Sequence, residues 1–150
     1  MAVSDEPAAL PLMVVDAANV VGSVPDGWWR DRFGSAERLR DALVEVAARG
    51  LPGDRRGTVP AWARRPPFEL VLVVEGAARG LGSAHGVRVV SAPGSGDDAI
   101  VDLLRERGAD RPCLVITADR ELRGRVTGLG ASVVGPRVVW PPPPERAEIP

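Results

Sequence analysis

Apolar residues in this chain fall into five short runs, separated by amphipathic stretches and by segments rich in glycine and proline. The runs at 12–15 (LMVV, ending in Asp16) and 69–75 (ELVLVVE) are nearly continuous rather than alternating. That is the mark of strands buried on both faces. Shorter runs at 87–90 (VRVV), 113–117 (CLVIT) and 131–134 (ASVV) predict three more strands. Between the first two, residues 35–49 place Leu39, Leu43, Val46 and Ala47 at helical spacing, with Ser35 the expected N-cap and Gly50 the stop. Two further helices are expected over 97–107, ended by Gly108, and over 120–129. Residues 138–140 either extend the last strand or pair at an edge. Residues 1–10 read as a loose leader, and 141–150 as a proline-rich mobile tail unable to join a ladder. Strands alternating with helices imply a parallel sheet covered on both faces. The expectation is one α/β domain over 11–140, in three layers, with a five-stranded, mainly parallel sheet.

Composition narrows the chemistry by exclusion. The 150 residues are 45% hydrophobic, enough for one real core. All 19 basic residues are arginine, which removes every mechanism that needs an amine, from a P-loop lysine to a Schiff base. His85 is the single histidine and Cys113 the single cysteine, so multi-histidine or multi-cysteine metal sites and a disulfide framework are excluded. Metal chemistry would have to use carboxylates. No apolar run is long enough to span a membrane, and the N-terminus lacks the layout of a secretion signal, so a cytoplasmic protein with no membrane partner is expected. A net charge of −1 provides no global basic field. The loop over 50–68 is locally basic, with Arg55, Arg56, Arg64 and Arg65 against Asp54 alone.

The acidic residues fall where an open parallel sheet gathers function, at the C-terminal ends of its strands. Asp16 ends the first strand and Glu75 the second. Asp97 and Asp98 open the helix after the third, and Asp119 follows the fourth. Carboxylates so grouped cannot all ionise without a compensating cation, and hard divalent ions take oxygen ligands. Each also has a plainer role available. Asp119 can be an N-cap, Glu75 the polar end of a strand, and Ser95-Gly96-Asp97-Asp98 matches a capping box with Asp98 as the reciprocal partner, which leaves Asp97 as the ligand. Asp16 has the weakest such alternative, because a charge directly after a buried strand is costly without a partner.

Three segments together resemble the PIN-like NYN ribonuclease domains, and among them the YacP-like branch: 14–21 (VVDAANVV), 94–100 (GSGDDAI) and 115–122 (VITADREL) followed by Gly130-Ala131. The resemblance runs in order over about 12–135. It implies a PIN-like, Rossmann-like fold and an acidic pocket that uses Mg²⁺ or Mn²⁺ to cut RNA. Carried over by position, Asp16, Asp97 and Asp119 would be metal ligands with Asp98 adjacent. Asn19 would hold the first-strand loop, Thr117 would line the pocket, and Glu75 would be the acidic residue at the second strand end. Where the family often has Gly-Tyr between the first Asp and the Asn, this chain has Ala17-Ala18.

The stretch 28–33 (WWRDRF) lies close enough to replace that aromatic, with Arg30 and Arg32 on phosphates and the rings on bases. Alternatively Trp28 and Phe33 pack the first helix onto the sheet. Trp62 is either an RNA contact or a hinge. Arg120, Arg123 and Arg125 follow Asp119 and are candidate phosphate contacts or solvated helix charge. His85 reads as a surface residue and Cys113 as core. The leading expectation is a metal-dependent ribonuclease, an endoribonuclease acting on free, tRNA or ribosome-bound RNA as monomer or homodimer. The alternative is a catalytically degenerate RNA- or ribosome-binding module.

Overall fold

The computed structural model describes residues 9–141, so the expectations for the leader and the tail fall, apart from 9–10 and 141, outside the described residues. Five strands form one sheet: β1 (Leu12–Asp16), β2 (Glu69–Val74), β3 (Val87–Ser91), β4 (Cys113–Ile116) and β5 (Ser132–Val134). Their order is β3-β2-β1-β4-β5 and every neighbouring pair is parallel. The helices are α1 (Ala17–Gly22), α2 (Arg32–Arg49), α3 (Gly96–Arg107) and α4 (Arg120–Thr127).

The continuous apolar runs explain the three layers. Successive strand residues point to opposite faces, so β1 sends Met13 and Val15 into one core and Leu12 and Val14 into the other. The first core is closed by Val20 and Val21 of α1 and by Leu39 and Leu43 of α2. Ile100 and Leu104 of α3, with Leu122 and Val126 of α4, close the second. The chain winds outward from β1 through β2 to β3, then returns to the other side of β1 for β4 and β5. The winding therefore reverses between β1 and β4, and the crevice of such a sheet opens at that point.

The structure departs from the sequence expectation at three places. α2 begins at Arg32 and not at Ser35: the Asp31 carboxylate accepts from the Gly34 N–H at 2.9 Å, and Ser35 is buried inside the helix, its hydroxyl accepting from Arg38. Asp31 wins because a carboxylate at a helix N-terminus satisfies a free N–H and meets the positive end of the dipole. A Cβ at position 34 would collide with that carboxylate, so a larger residue there requires the Asp31 side chain to shift. The helix α1, directly after β1, has no counterpart in the sequence reading. Residues 138–140 neither extend β5 nor pair at an edge: Pro136–Val138 form a 3₁₀ turn that folds Val139 and Trp140 into the first core.

At the N-terminal edge of the sheet, charge is neutralised. Glu69 pairs with Arg107 at 2.7 Å and with Arg111 at 3.0 Å. The opposite edge, where Asp16 ends β1, offers that residue no such pairing.

Leu72, in the middle of β2, is fully buried. Leu72→Ala is expected to cost about 3 kcal/mol in urea unfolding, from lost burial and a residual cavity. Leu10→Ala, at an exposed position, should stay within about 0.5 kcal/mol of the parent.

Candidate active site

The end of β1 runs without a break into α1, so Asp16 is at once the last strand residue and the N-cap of a helix. Its backbone is fixed by the ladder, with Asp16 opposite Val73 of β2. The residue is only 3% exposed. Its Oδ2 accepts a hydrogen bond from the Thr117 hydroxyl at 3.0 Å. The same Thr117 oxygen accepts from the Asp119 N–H at 3.1 Å, and the Thr117 N–H donates to Val134 O at 3.0 Å. Thr117 is completely buried and ties the ends of β1, β4 and β5 together.

Asn19 closes the switch point from the other side. Its side-chain oxygen accepts from the Ala118 N–H at 2.8 Å, clamping α1 onto the turn between β4 and α4. Asp119 caps α4, its Oδ1 accepting from the Leu122 N–H at 3.0 Å. Glu75, just beyond β2, accepts from the Gly96 N–H at 2.7 Å and so holds the start of α3. Ser95 caps α3 by accepting from the Asp98 N–H, as its spacing predicts. The Asp98 carboxylate does not return the bond; it is exposed and pairs with Arg125 of α4 at 3.0 Å.

These contacts bring Asp16, Glu75, Asp97 and Asp119 to one edge of the sheet, and among the described residues none of the four has an ion-pair partner. Burial pushes the Asp16 carboxyl up to about 6, against the bonds from Thr117 and Asn19, with Asp97 and Glu75 adding repulsion. Asp97 is also raised, by burial first and then by Asp119 and Glu75, with Arg125 opposing. The four supply only oxygen donors, the ligand type that hard divalent cations take. Among the described residues, no three Asp, Glu, His or Cys side chains form a group placed to hold a metal ion. The carboxylates share an edge without closing a cage.

Beside them opens a cleft of ≈ 500 Å³, whose wall includes Ala17, Ala18, Trp28, Arg32, Glu75 and Arg79. The alanines supply only methyl groups, which leaves this space open. Trp28 is half-buried and packs on the first core, with the Arg32 guanidinium 5.4 Å from its ring centre. Trp29 is 53% exposed with Arg30 at 5.9 Å, and Phe33 is 40% exposed, so Phe33 is not the core residue that the packing alternative called for. Arg120 is exposed beside Asp119. Trp62 packs edge-on against Phe68 at 6.1 Å and serves the loop, not the cleft. His85 is exposed as expected, whereas Cys113, expected as core, is half-buried where β4 begins. Arg79 is the cleft residue that the sequence reading missed. It follows the short Gly76–Ala78 turn and carries no motif of its own.

The whole described chain is therefore an all-parallel α/β domain with an acidic crevice at its switch point. Its fold matches two crystal structures of Rae1 (YacP) from Bacillus subtilis, one of them a tryptophan-to-leucine mutant. The TM-scores are 0.62 for the mutant and 0.60 for the other, at 17% and 18% identity. The matches cover 87% and 85% of this chain and 72% and 70% of theirs. No protein-family model matches the sequence, and no curated protein does so. Among the described residues no helix is long and apolar enough to cross a membrane.

The raised carboxyl makes stability depend on pH in a definite sense. Unfolded Asp16 ionises near 3.8 and folded Asp16 near 6. The folded state thus holds the proton longer, and stability falls as pH rises between those values. Above about pH 6 the full penalty, about 3 kcal/mol, is present. Asp16→Asn keeps an acceptor for Thr117 and should stabilise the metal-free protein at pH 7 by roughly 1–3 kcal/mol, with no gain at pH 4. Urea titrations at the two pH values check this.

Proposed function

We propose that this protein is a metal-dependent ribonuclease, most specifically an endoribonuclease, that hydrolyses RNA at the crevice between β1 and β4. The observation that carries the reading is the gathering of Asp16, Glu75, Asp97 and Asp119 at the switch point without a cationic partner. The YacP-like fold and the sequence resemblance to NYN domains support it. The carboxylates Asp16, Asp97 and Asp119, with Glu75 or Asp98 for a second ion, would hold Mg²⁺ or Mn²⁺ with waters completing the shell. Held there, the ion would supply a bound water of lowered pKa and charge stabilisation for an in-line phosphoryl displacement.

The chain's own residues do the rest. Thr117 aims Asp16 by its hydroxyl, and Asn19 fixes the turn that carries Asp119. Arg32 and Arg79 line the cleft and supply guanidinium forks for phosphate oxygens, and Trp28 offers a wall for a base. Arg30 and Arg120, both exposed, extend the contact surface. Water attack in line leaves a 5′-phosphate and a 3′-hydroxyl. A cytoplasmic RNA, tRNA or a ribosome-bound message is the partner this reading calls for, with a monomer or homodimer acting on it.

A second reading, an RNA- or ribosome-binding module without catalysis, is favoured by one observation: the carboxylates do not close a cage. End-labelled, partly structured RNA incubated with Mn²⁺ or Mg²⁺, and with EDTA as control, separates the two. Asp16→Asn and Asp119→Asn both retain an N-capping side chain. Each is expected to lower the cleavage rate about a hundredfold or more while the protein stays folded. Cleavage that survives both substitutions sinks the assignment. RNA binding without cleavage in the parent protein puts the binding module in its place.

A further inference from the structure

The long loop after α2 is a structural element in its own right. It is anchored at both ends by buried Leu51 and Val59 and by the Leu51 N–H donating to Ala63 O at 2.8 Å. Between those anchors it folds over the free side of β5 and leaves a groove of ≈ 720 Å³. Arg55 and Arg56 line it from the loop, Arg123 from α4, and Arg137 from the turn after β5. All four are exposed, and among the described residues none is ion-paired. The one acidic residue of the lining, Asp54, is occupied locally: its carboxylate accepts from the N–H and the hydroxyl of Thr58.

We infer that this groove is a track for the sugar-phosphate backbone of single-stranded RNA, leading into the acidic crevice. Four guanidinium groups from three separate parts of the chain line the groove against the single carboxylate of Asp54, and their fork geometry suits phosphate oxygens. No aromatic residue lines the groove, so it has no platform for bases and its contacts are independent of sequence. Two backbone bonds link its lining residues to residues of the crevice. Val134, in its floor, accepts from the Thr117 N–H, and the Arg123 N–H donates to Asp119 O at 2.9 Å. A peptide adding to the sheet is the poorer occupant, because β5 has three residues and Pro136 follows after a single glycine.

The inference takes the identity of its polyanion from the ribonuclease reading and does not depend on cleavage. The test is therefore made in EDTA, by fluorescence anisotropy of a labelled single-stranded RNA against the full chain at several salt concentrations. The parent is compared with Arg55→Gln/Arg137→Gln and with Arg55→Lys/Arg137→Lys. In the glutamine variant, Kd should rise roughly tenfold near 0.1 M salt, and the slope of log K against log salt should shrink by about 0.7 per arginine removed. The lysine variant should keep the parent's salt slope, and a scrambled RNA should bind all three proteins as the first one does. Unchanged affinity and slope in a glutamine variant with the parent's melting temperature overturn the inference, as does an equal loss in the lysine variant. Cleavage with Mn²⁺ is read separately: arginine-dependent binding by a protein that never cuts leaves the groove standing and removes only the catalytic reading.

Discussion

Thr117 has one hydroxyl proton, and its direction organises the crevice. The proton goes to Asp16, which leaves the oxygen to receive the Asp119 N–H, so one buried group sets two carboxylates that are far apart in sequence. Serine would supply the same hydroxyl but lacks the methyl that stiffens the χ1 rotamer. Valine would supply the shape without the bond, leaving the Asp119 N–H unpaired and Asp16 with less to hold its charge. Around this contact the other tethers are arranged in parallel, Asn19 on the turn before α4 and Glu75 on the start of α3.

The two edges of the sheet show opposite electrostatic solutions. At the N-terminal edge Glu69 is shared between Arg107 and Arg111, and its charge is stabilised within the protein. At the C-terminal edge Asp16 is more deeply buried and has only hydrogen bonds. A chain with 19 arginines has cations to spare, and one, Arg125, pairs with the exposed Asp98. Among the carboxylates, burial raises Asp16 and Asp97, both at the C-terminal edge. Local destabilisation of this kind is typical of sites under functional rather than structural selection.

Much of this was legible in the sequence because burial on both faces leaves a strong signal. The runs at 12–15 and 69–75 gave strands, the strands gave a parallel sheet, and the sheet placed Asp16, Glu75, Asp97 and Asp119 together. Asn19 and Thr117 were singled out by the resemblance to NYN domains, and each makes a side-chain bond between the β1–α1 and β4–α4 junctions. What escaped depends on competition between neighbours or on long-range assembly. Ser35 and Asp31 are both good caps, and the sequence does not show that the Asp31 carboxylate takes the helix start and leaves Ser35 buried inside the helix. Helix α1 is too short to show a period. The meeting of Arg55 with Arg123 and Arg137 has no local signature, since it depends on a loop crossing to the far edge of the sheet.

The Thr117–Asp16 bond spans 101 residues, and this has a consequence for the order of events during synthesis. β1 and α1 emerge early and β2 can pair with β1 while the rest is still being made, because folding follows the emerging chain. The crevice cannot close until β4 arrives, since β4 fills the slot on the other side of β1 and brings both Thr117 and Asp119. A half-made chain therefore has a sheet but no assembled acidic edge. Any activity that resides there is withheld from the nascent protein and begins only when nearly all of the domain has been translated.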